Sequence, residues 1–349
     1  MSAITVQWLM DFESRMRLIQ SETYSSLVSA ENQWWGDITK VSTTGGLREL
    51  FAWVLSTARL SDAGELGGNV NFQDMAMLET DFRVRFANAG LELYKSQMLD
   101  QDANGLQIAA AWTRQVTAMA AYWPQTQVTN LLKNGATAGY NSYDDITFFN
   151  ATHYNNPKAT GAGSYSNTHA SVPIDVSVSA EVALQNLATV RSSIASIKQP
   201  NGVDPRFLKP HAIICSSALY PRVVQLTDAK FIAATGGAGA TGGTSDVEGL
   251  IRSLGYGKVI EAPELNGWGS DTTYFVVAKP AGVPDDELSG FVYLEREPFT
   301  VRYYTGDGGG TGTDAILQRT NKYEWNMEGR NVAGYGHPYL IHRCQAGGA

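Results

Sequence analysis

A chain of 349 residues has room for two ordinary domains or one large one, and can bury a substantial core without disulfides or metals. Its formal charge of −8, from 34 acidic against 26 basic residues, has the wrong sign for a protein that coats nucleic acid by neutralising phosphates, and 43% hydrophobic residues exclude a disordered chain. Charged residues make up only 17%, while 35 glycines, 16 tyrosines and 8 tryptophans are many, a balance suited to surface buried against other chains. Cys215 and Cys344 stand far apart in no metal-spacing pattern, so a reducing compartment is the simpler expectation. Asp11, Glu13, Arg15 and Arg17 interrupt the first apolar residues and no run of about 18 apolar residues occurs, so neither signal peptide nor membrane span is expected.

Residues 1–47 read as a helix-bearing arm, with Val6, Leu9, Met10, Glu13 and Met16 at mixed helical spacing and too little apolar face for a domain. From Arg48 to Met98 short β-like pieces alternate around Gly64, Gly67, Gly68 and Gly90. Phe82, Val84 and Phe86 are expected on one face, and Leu91 and Leu93 open a second strand. Such a two-stranded excursion is marginal alone and must lie on its own chain or on a neighbour. Next, Leu106, Ala109, Trp112, Val116, Met119, Trp123, Val128 and Leu131 keep a three-to-four spacing, which predicts a helical rod of roughly 45 Å. Pro124 should kink or split it, since proline has no amide for the Ala120 carbonyl, and Gly135 should stop it.

A polar stretch from Gly139 to Thr168, broken by Phe148 and Phe149, reads as a loop with short strands. Ser179–Lys198 is predicted helical, with Val182, Leu187, Val190, Ile194 and Ile197 in one stripe and Pro200 beyond its end. A strand at 211–215, a helix near 219–226, a glycine run, a helix near 247–254 and a strand at 258–262 suggest a compact α/β or α+β unit. Residues 273–278, 291–296, 300–304 and 315–321 are strand candidates, with Gly308–Gly310 as a tip between two of them.

Few motifs carry chemistry. Gly237, Gly239 and Gly242 spell G-x-G-x-x-G, with Glu261 downstream, as in a dinucleotide site. Ser245 and Glu248, however, form a capping-box pattern that starts the helix after the motif, and the run reads more simply as a flexible loop. Asp100, Asp102, Asn104 and Gly105 reproduce half of a calcium loop, but its twelfth position is Ala111, and acids ahead of a long helix serve its free amides. His153, His211, His337 and His342 lack metal-site spacing and read as structural. Asp144 with Asp145, and Asp285 with Asp286 and Glu287, read as solvated acids. No catalytic residue, cofactor site or metal site is assigned beyond the weak calcium candidate.

The order of arm, excursion, long helix, α/β unit and returning strands resembles the tailed-phage major capsid fold, an α+β fold shared with encapsulins. Five segments sharpen the resemblance to the Mu-like major head subunit (gpT) family: GLELYKSQMLDQDANG (Gly90–Gly105), WPQTQVTNLLKNG (Trp123–Gly135), SYDDITFFNATH (Ser142–His153), FVYLEREP (Phe291–Pro298) and YEWNMEGRNVAGYGHPY (Tyr323–Tyr339). The family's usual Asp-Gly before the paired phenylalanines is here Asp144-Asp145-Ile146, and Glu324 follows Tyr323 where glycine is commoner; both concern turns.

The resemblance implies an N-terminal arm (1–47), an E-loop (48–101), the spine helix (102–135) and an extension (136–177) of a peripheral domain, an axial domain (178–285) and return strands of the peripheral domain (286–349). It implies a structural protein without catalysis, self-assembling as hexamers and pentamers into an icosahedral phage head around double-stranded DNA. Implied partners are scaffold, portal and decoration proteins, with no membrane; the location is the virion capsid, assembled in the bacterial host cytoplasm. No fused scaffolding segment is visible. The alternatives are an encapsulin-type compartment shell and, more remotely, a nucleotide-binding enzyme using the Gly237/Gly239/Gly242 loop. A negative chain suits a container whose wall must release DNA. Some shells of this fold join an E-loop lysine to an asparagine, but no lysine occurs from Arg48 to Tyr94 and Lys95 lies only at the base of the excursion, which predicts a non-covalent shell. Trp34, Trp35, Trp53 and Trp268 are equally interface anchors or core. Deleting residues 1–40 is expected to leave a soluble subunit unable to close shells.

Overall fold

A computed structural model describes residues 6–28, 33–55, 76–94, 96–97, 105–228, 231–233, 244–246, 254–280, 289–303 and 322–346. The elements run as α1 (Val6–Val28), β1 (Thr39–Thr43), β2 (Arg48–Leu55), β3 (Ala76–Arg83), β4 (Arg85–Tyr94) and α2 (Gly105–Asn134). Then come β5 (His153–Tyr154), β6 (Ser164–Tyr165), β7 (Thr168–His169), α3 (Ala180–Ala195), β8 (Leu208–Cys215) and α4 (Tyr220–Asp228). The last are β9 (Phe231–Ala233), β10 (Thr244–Asp246), β11 (Lys258–Glu261), β12 (Tyr274–Pro280), β13 (Phe291–Tyr303), β14 (Lys322–Tyr335) and β15 (Ile341–Cys344).

The apolar runs AIIC in β8 and YFVVA in β12 are continuous rather than alternating, which suits strands covered on both faces. They lie in a five-stranded sheet of order β11-β8-β12-β15-β7. Ile213, Cys215, Tyr274 and Val276 face Leu187, Val190 and Ile194 of α3 and Val223 of α4. Ala212, Ile214, Phe275 and Val277 point the other way, to Val128 and Leu132 of α2 and to Phe148, Phe149 and Trp34. The strand period of two thus divides one sheet between two cores.

The second sheet has the order β1-β13-β14-β4. Its centre is the long antiparallel ribbon of β13 and β14, and distant segments cover both edges: β1 runs parallel to β13 and β4 antiparallel to β14. The 291–296 and 300–304 candidates are therefore one strand, β13, which passes Pro298 by shifting register between Glu295 and Thr300. The excursion's β2–β3 pair rests on its own chain, with Trp53 and Phe82 against Val292 and Leu294. Gly334 makes this possible, because a Cβ there would stand 1.9 Å from the Phe82 ring.

Several expectations change. Phe82 and Phe86 do not share a face, because the chain breaks between β3 and β4 at Val84; Phe82 is buried and Phe86 is 49% exposed. Pro124 does not split α2, which runs unbroken for 30 residues. The Gln33 amide donates to the carbonyl of Ala121, one residue past the Ala120 carbonyl that the proline deprives of a donor, tying the arm to the helix where it is weakest. Gly135 follows α2 for packing reasons, since a Cβ would lie 2.6 Å from the Phe149 ring. In α3, capped by Ser179, the buried stripe runs through Ala183 and leaves Val182 outside.

The four tryptophans belong to the chain's own cores: Trp34 and Trp53 are buried, and Trp35 and Trp268 pack against the α2 side of the five-stranded sheet. Residues 1–40 are thus more than an arm, since Trp34 and Ile38 are core residues and their deletion opens the interior. The expected 315–321 strand, the Gly308–Gly310 tip and residues 247–253 of the expected 247–254 helix lie outside the described residues.

With Trp34 at 5% exposure, Trp34→Ala should cost about 3–5 kcal/mol in urea denaturation, whereas Val182→Ala should change stability by no more than about 0.5 kcal/mol.

Candidate assembly surface

The motifs singled out for chemistry do not form a site among the described residues. Asp100, Asp102 and Asn104 lie outside them, and α2 begins only at Gly105. Gly237, Gly239 and Gly242 also lie outside, but the strands on either side are described: β9 and β10 pair antiparallel, with Ser245 opposite Ile232. Ser245 is therefore a strand residue and not a helix cap. The glycine run joins two strands of a ribbon, where a dinucleotide site needs a strand leading into a helix.

His153, His337 and His342 are buried, and His169 and His211 are half-buried. His153 Nδ1 lies 2.6 Å from Asp144 Oδ2, with both side chains sealed from solvent, and His153 Nε2 lies 3.1 Å from the Phe148 carbonyl oxygen. The reading of Asp144 as a solvated acid is overturned: its partner stands nine residues away, brought back by the turn at Asp145. That residue takes a φ of 60°, the left-handed conformation that suits the glycine of the Mu-like pattern. Asn167 fastens the same region, its amide donating to the carbonyls of Phe148 and Pro338.

His342 Nε2 faces the Tyr339 carbonyl, which only accepts, so Nε2 donates and Nδ1 accepts from His169 Nε2 at 3.1 Å. Burial pushes His169 down to about 4 and His342 down to about 3. His337, against Trp53 and within 3.4 Å of the Tyr143 hydroxyl, is pushed down to about 3 by burial and then by Arg206 and Lys40. Burial also drives the Tyr143 and Tyr165 phenols well above their usual range. This closed cluster fastens residues 142–169 to the C-terminal strand. Among the described residues no group of three or more His, Cys, Asp or Glu is placed to hold a metal ion, and no helix is long and apolar enough to cross a membrane.

What the surface does offer is apolar. On the outer flank of α2, Met119 is 67% exposed and Trp123 is held by its indole N–H donating to Asn331 Oδ1 at 2.9 Å. With Phe86, Ala89, Val116 and Phe299 they line a cavity of about 320 Å³ between α2 and the β4 edge. On the outer face of β2, Leu50 is 67% exposed, and Leu47 lies just before it. Met119 and Trp123 share the helical spacing of the predicted rod but lie on its open flank; the buried face of α2 carries Ala109, Thr113, Val116, Thr117, Ala120, Ala121, Val128, Thr129 and Leu132.

No protein-family model and no curated protein matches the chain. Solved structures do. A procapsid chain of bacteriophage JBD30 is 11% identical over 98% of this chain and 76% of its own, with a TM-score of 0.46. A virus-like particle chain from Pyrococcus furiosus is 9% identical over 96% and 99%, with a TM-score of 0.49. A chain of Mycobacterium phage Patience is 12% identical over 95% and 89%, with a TM-score of 0.50. The fold is the α+β tailed-phage major capsid fold, shared with encapsulins. In this capsid fold the α2 flank and the outer face of β2 carry exposed large apolar side chains.

The histidines give this fold a testable acid limit. The unfolded chain takes up protons on histidine near pH 6.5, while folded His169, His337 and His342 resist until about 4, 3 and 3. Their contribution is complete above about pH 6.5 and is lost as pH falls towards 4 and below. The urea midpoint should drop over that range and the drop should be shallower in His337→Asn; an unchanged slope contradicts the assignment.

Proposed function

We propose that the chain is a structural major capsid protein, without catalytic activity, that assembles as hexamers and pentamers into an icosahedral phage head around double-stranded DNA. The observation that carries this reading is the capsid fold bearing open apolar surface on α2 and β2, a subunit whose exterior suits burial against copies of itself. In this reading residues 1–47 are the arm, 48–101 the E-loop, 102–135 the spine helix, 136–177 its extension, 178–285 the axial domain and 286–349 the return strands. The procapsid match is consistent with it, as is the net charge of −8, which leaves packaged DNA free to depart.

The finer assignment is to the Mu-like major head subunit group. It is supported by what its five segments build: the end of α2, the His153 turn and most of the β13–β14 ribbon fall within them. Scaffold, portal and decoration proteins are the expected partners, and the virion, assembled in the host cytoplasm, the expected place. With no lysine from Arg48 to Tyr94, neighbouring subunits are held without a covalent bond from that segment.

Electron microscopy of the expressed chain, alone and with its scaffold, should show closed shells or capsomer sheets, with DNA in native particles. Single soluble chains that bind nucleotide, or particles filled with protein cargo, contradict the proposal. After boiling in SDS the particles should run as single chains; a ladder of multimers would refute the non-covalent shell.

A further inference from the structure

A cavity of about 620 Å³ opens between the outer side of α3 and the chain that leads into β8. Ala188, Pro205, Phe207 and Leu254 give it apolar walls, Arg191 and Lys209 add two exposed cations, and no carboxylate lines it. Among the described residues neither cation is in an ion pair. In a chain of net charge −8 this groove is positive.

Phe207 is its unusual wall. The residue takes a φ of 55°, the left-handed conformation that a bulky side chain seldom adopts, yet it is 64% exposed, so no burial within the chain offsets the strain. Its neighbours enforce it. The Arg206 amide donates to the Ile197 carbonyl, Arg206 Nε donates to the Lys198 carbonyl, and the guanidinium lies 4.1 Å from the centre of the Tyr339 ring. Leu208, on the other side, is buried. With both neighbours anchored inward, Phe207 is left in the groove wall, and backbone strain held in this way gathers at ligand clamps.

We infer that this groove binds an acidic amphipathic helix of another protein, with apolar side chains against Phe207 and carboxylates on Arg191 and Lys209. Carboxylates are the complement of two unmatched cations, and a guanidinium can take one through two hydrogen bonds. An added strand is excluded as the mode, because β8 lies inside its sheet between β11 and β12 and has no free edge here. The groove wall from α3, with Ala188, Arg191, Ser192 and Ala195 at three-to-four spacing, matches the ridges of a second helix. The chain's own apolar surfaces are poor counterparts. No carboxylate lines the α2 cavity, and Asp81, which faces Leu50 across β2 and β3, is already paired with Arg48 and Arg83. The inference does not depend on the chain building a shell.

The test is fluorescence anisotropy of a labelled helical peptide, with leucines on one face and glutamates beside them, titrated with the unassembled full chain. Saturable binding is expected, and the same peptide with lysine in place of glutamate should bind at least about tenfold more weakly. Phe207→Gly removes the ring while glycine accepts the left-handed backbone freely, so its urea midpoint should be unchanged or higher while binding weakens about tenfold or more. Arg191→Gln should weaken binding severalfold, and Met119→Gln, on the α2 flank, should leave it unchanged. No saturable binding, equal binding of the two peptides by the unaltered chain, or full binding by Phe207→Gly overturns the inference. Self-association of the free chain that Phe207→Gly abolishes would place a second copy in the groove and overturn the assignment to another protein.

Discussion

The structure depends on a sheet that must be covered twice. β8 and β12 alternate their side chains between two cores, and neither face can meet water: Ile213, Ile214, Phe275 and Val276 are all fully buried. Each such side chain contributes about 1.5–3 kcal/mol only if its cover is in place. One cover, α3 with α4, is local in sequence. The other is assembled from distant parts: the last turns of α2, the paired phenylalanines at 148 and 149, and Trp34 from near the N-terminus. This explains why the chain wraps around itself, and why residues before 40 cannot be removed without loss to the interior.

The same demand organises the second sheet. The ribbon of β13 and β14 is too long to stand alone, and its two edges are closed by β1, from before the excursion, and β4, from the excursion's last part. Phe148 then packs against Phe291 and Tyr335 of the ribbon, and Phe149 beside it against Phe275 of the five-stranded sheet. The His153–Asp144 pair fastens the turn carrying Phe148 by a bond to that residue's carbonyl.

Much of this was legible in the residues themselves. The periodicity of α2, the continuous runs in β8 and β12 and the helical stripe of α3 follow from local pattern, and local pattern is what a sequence displays. What stayed hidden was decided by partners far away. Pro124 looked like a break, but α2 runs on through it, with the Gln33 amide, 88 residues away in sequence, donating to the adjacent Ala121 carbonyl. Asp144 looked solvated because burial depends on a histidine beyond the paired phenylalanines. Trp34 could be placed in core or interface with equal reason until the sheet it covers was known. Phe86 was misplaced by a strand break at Val84 that carries no turn residue. The candidate surface was the least legible, since Met119 and Trp123 fit a buried helical stripe as well as they fit an open one.

The central claim is that the apolar flank of α2 is surface the subunit keeps for its neighbours. Hydroxyl-radical footprinting of free chains against assembled particles tests it most directly, reading oxidation at Met119, which is exposed, with Met327, which is buried in the free chain, as the internal control. The account predicts that Met119 oxidises readily in the free chain and is strongly protected after assembly, while Met327 stays protected in both. Equal oxidation of Met119 in free and assembled chains would contradict it.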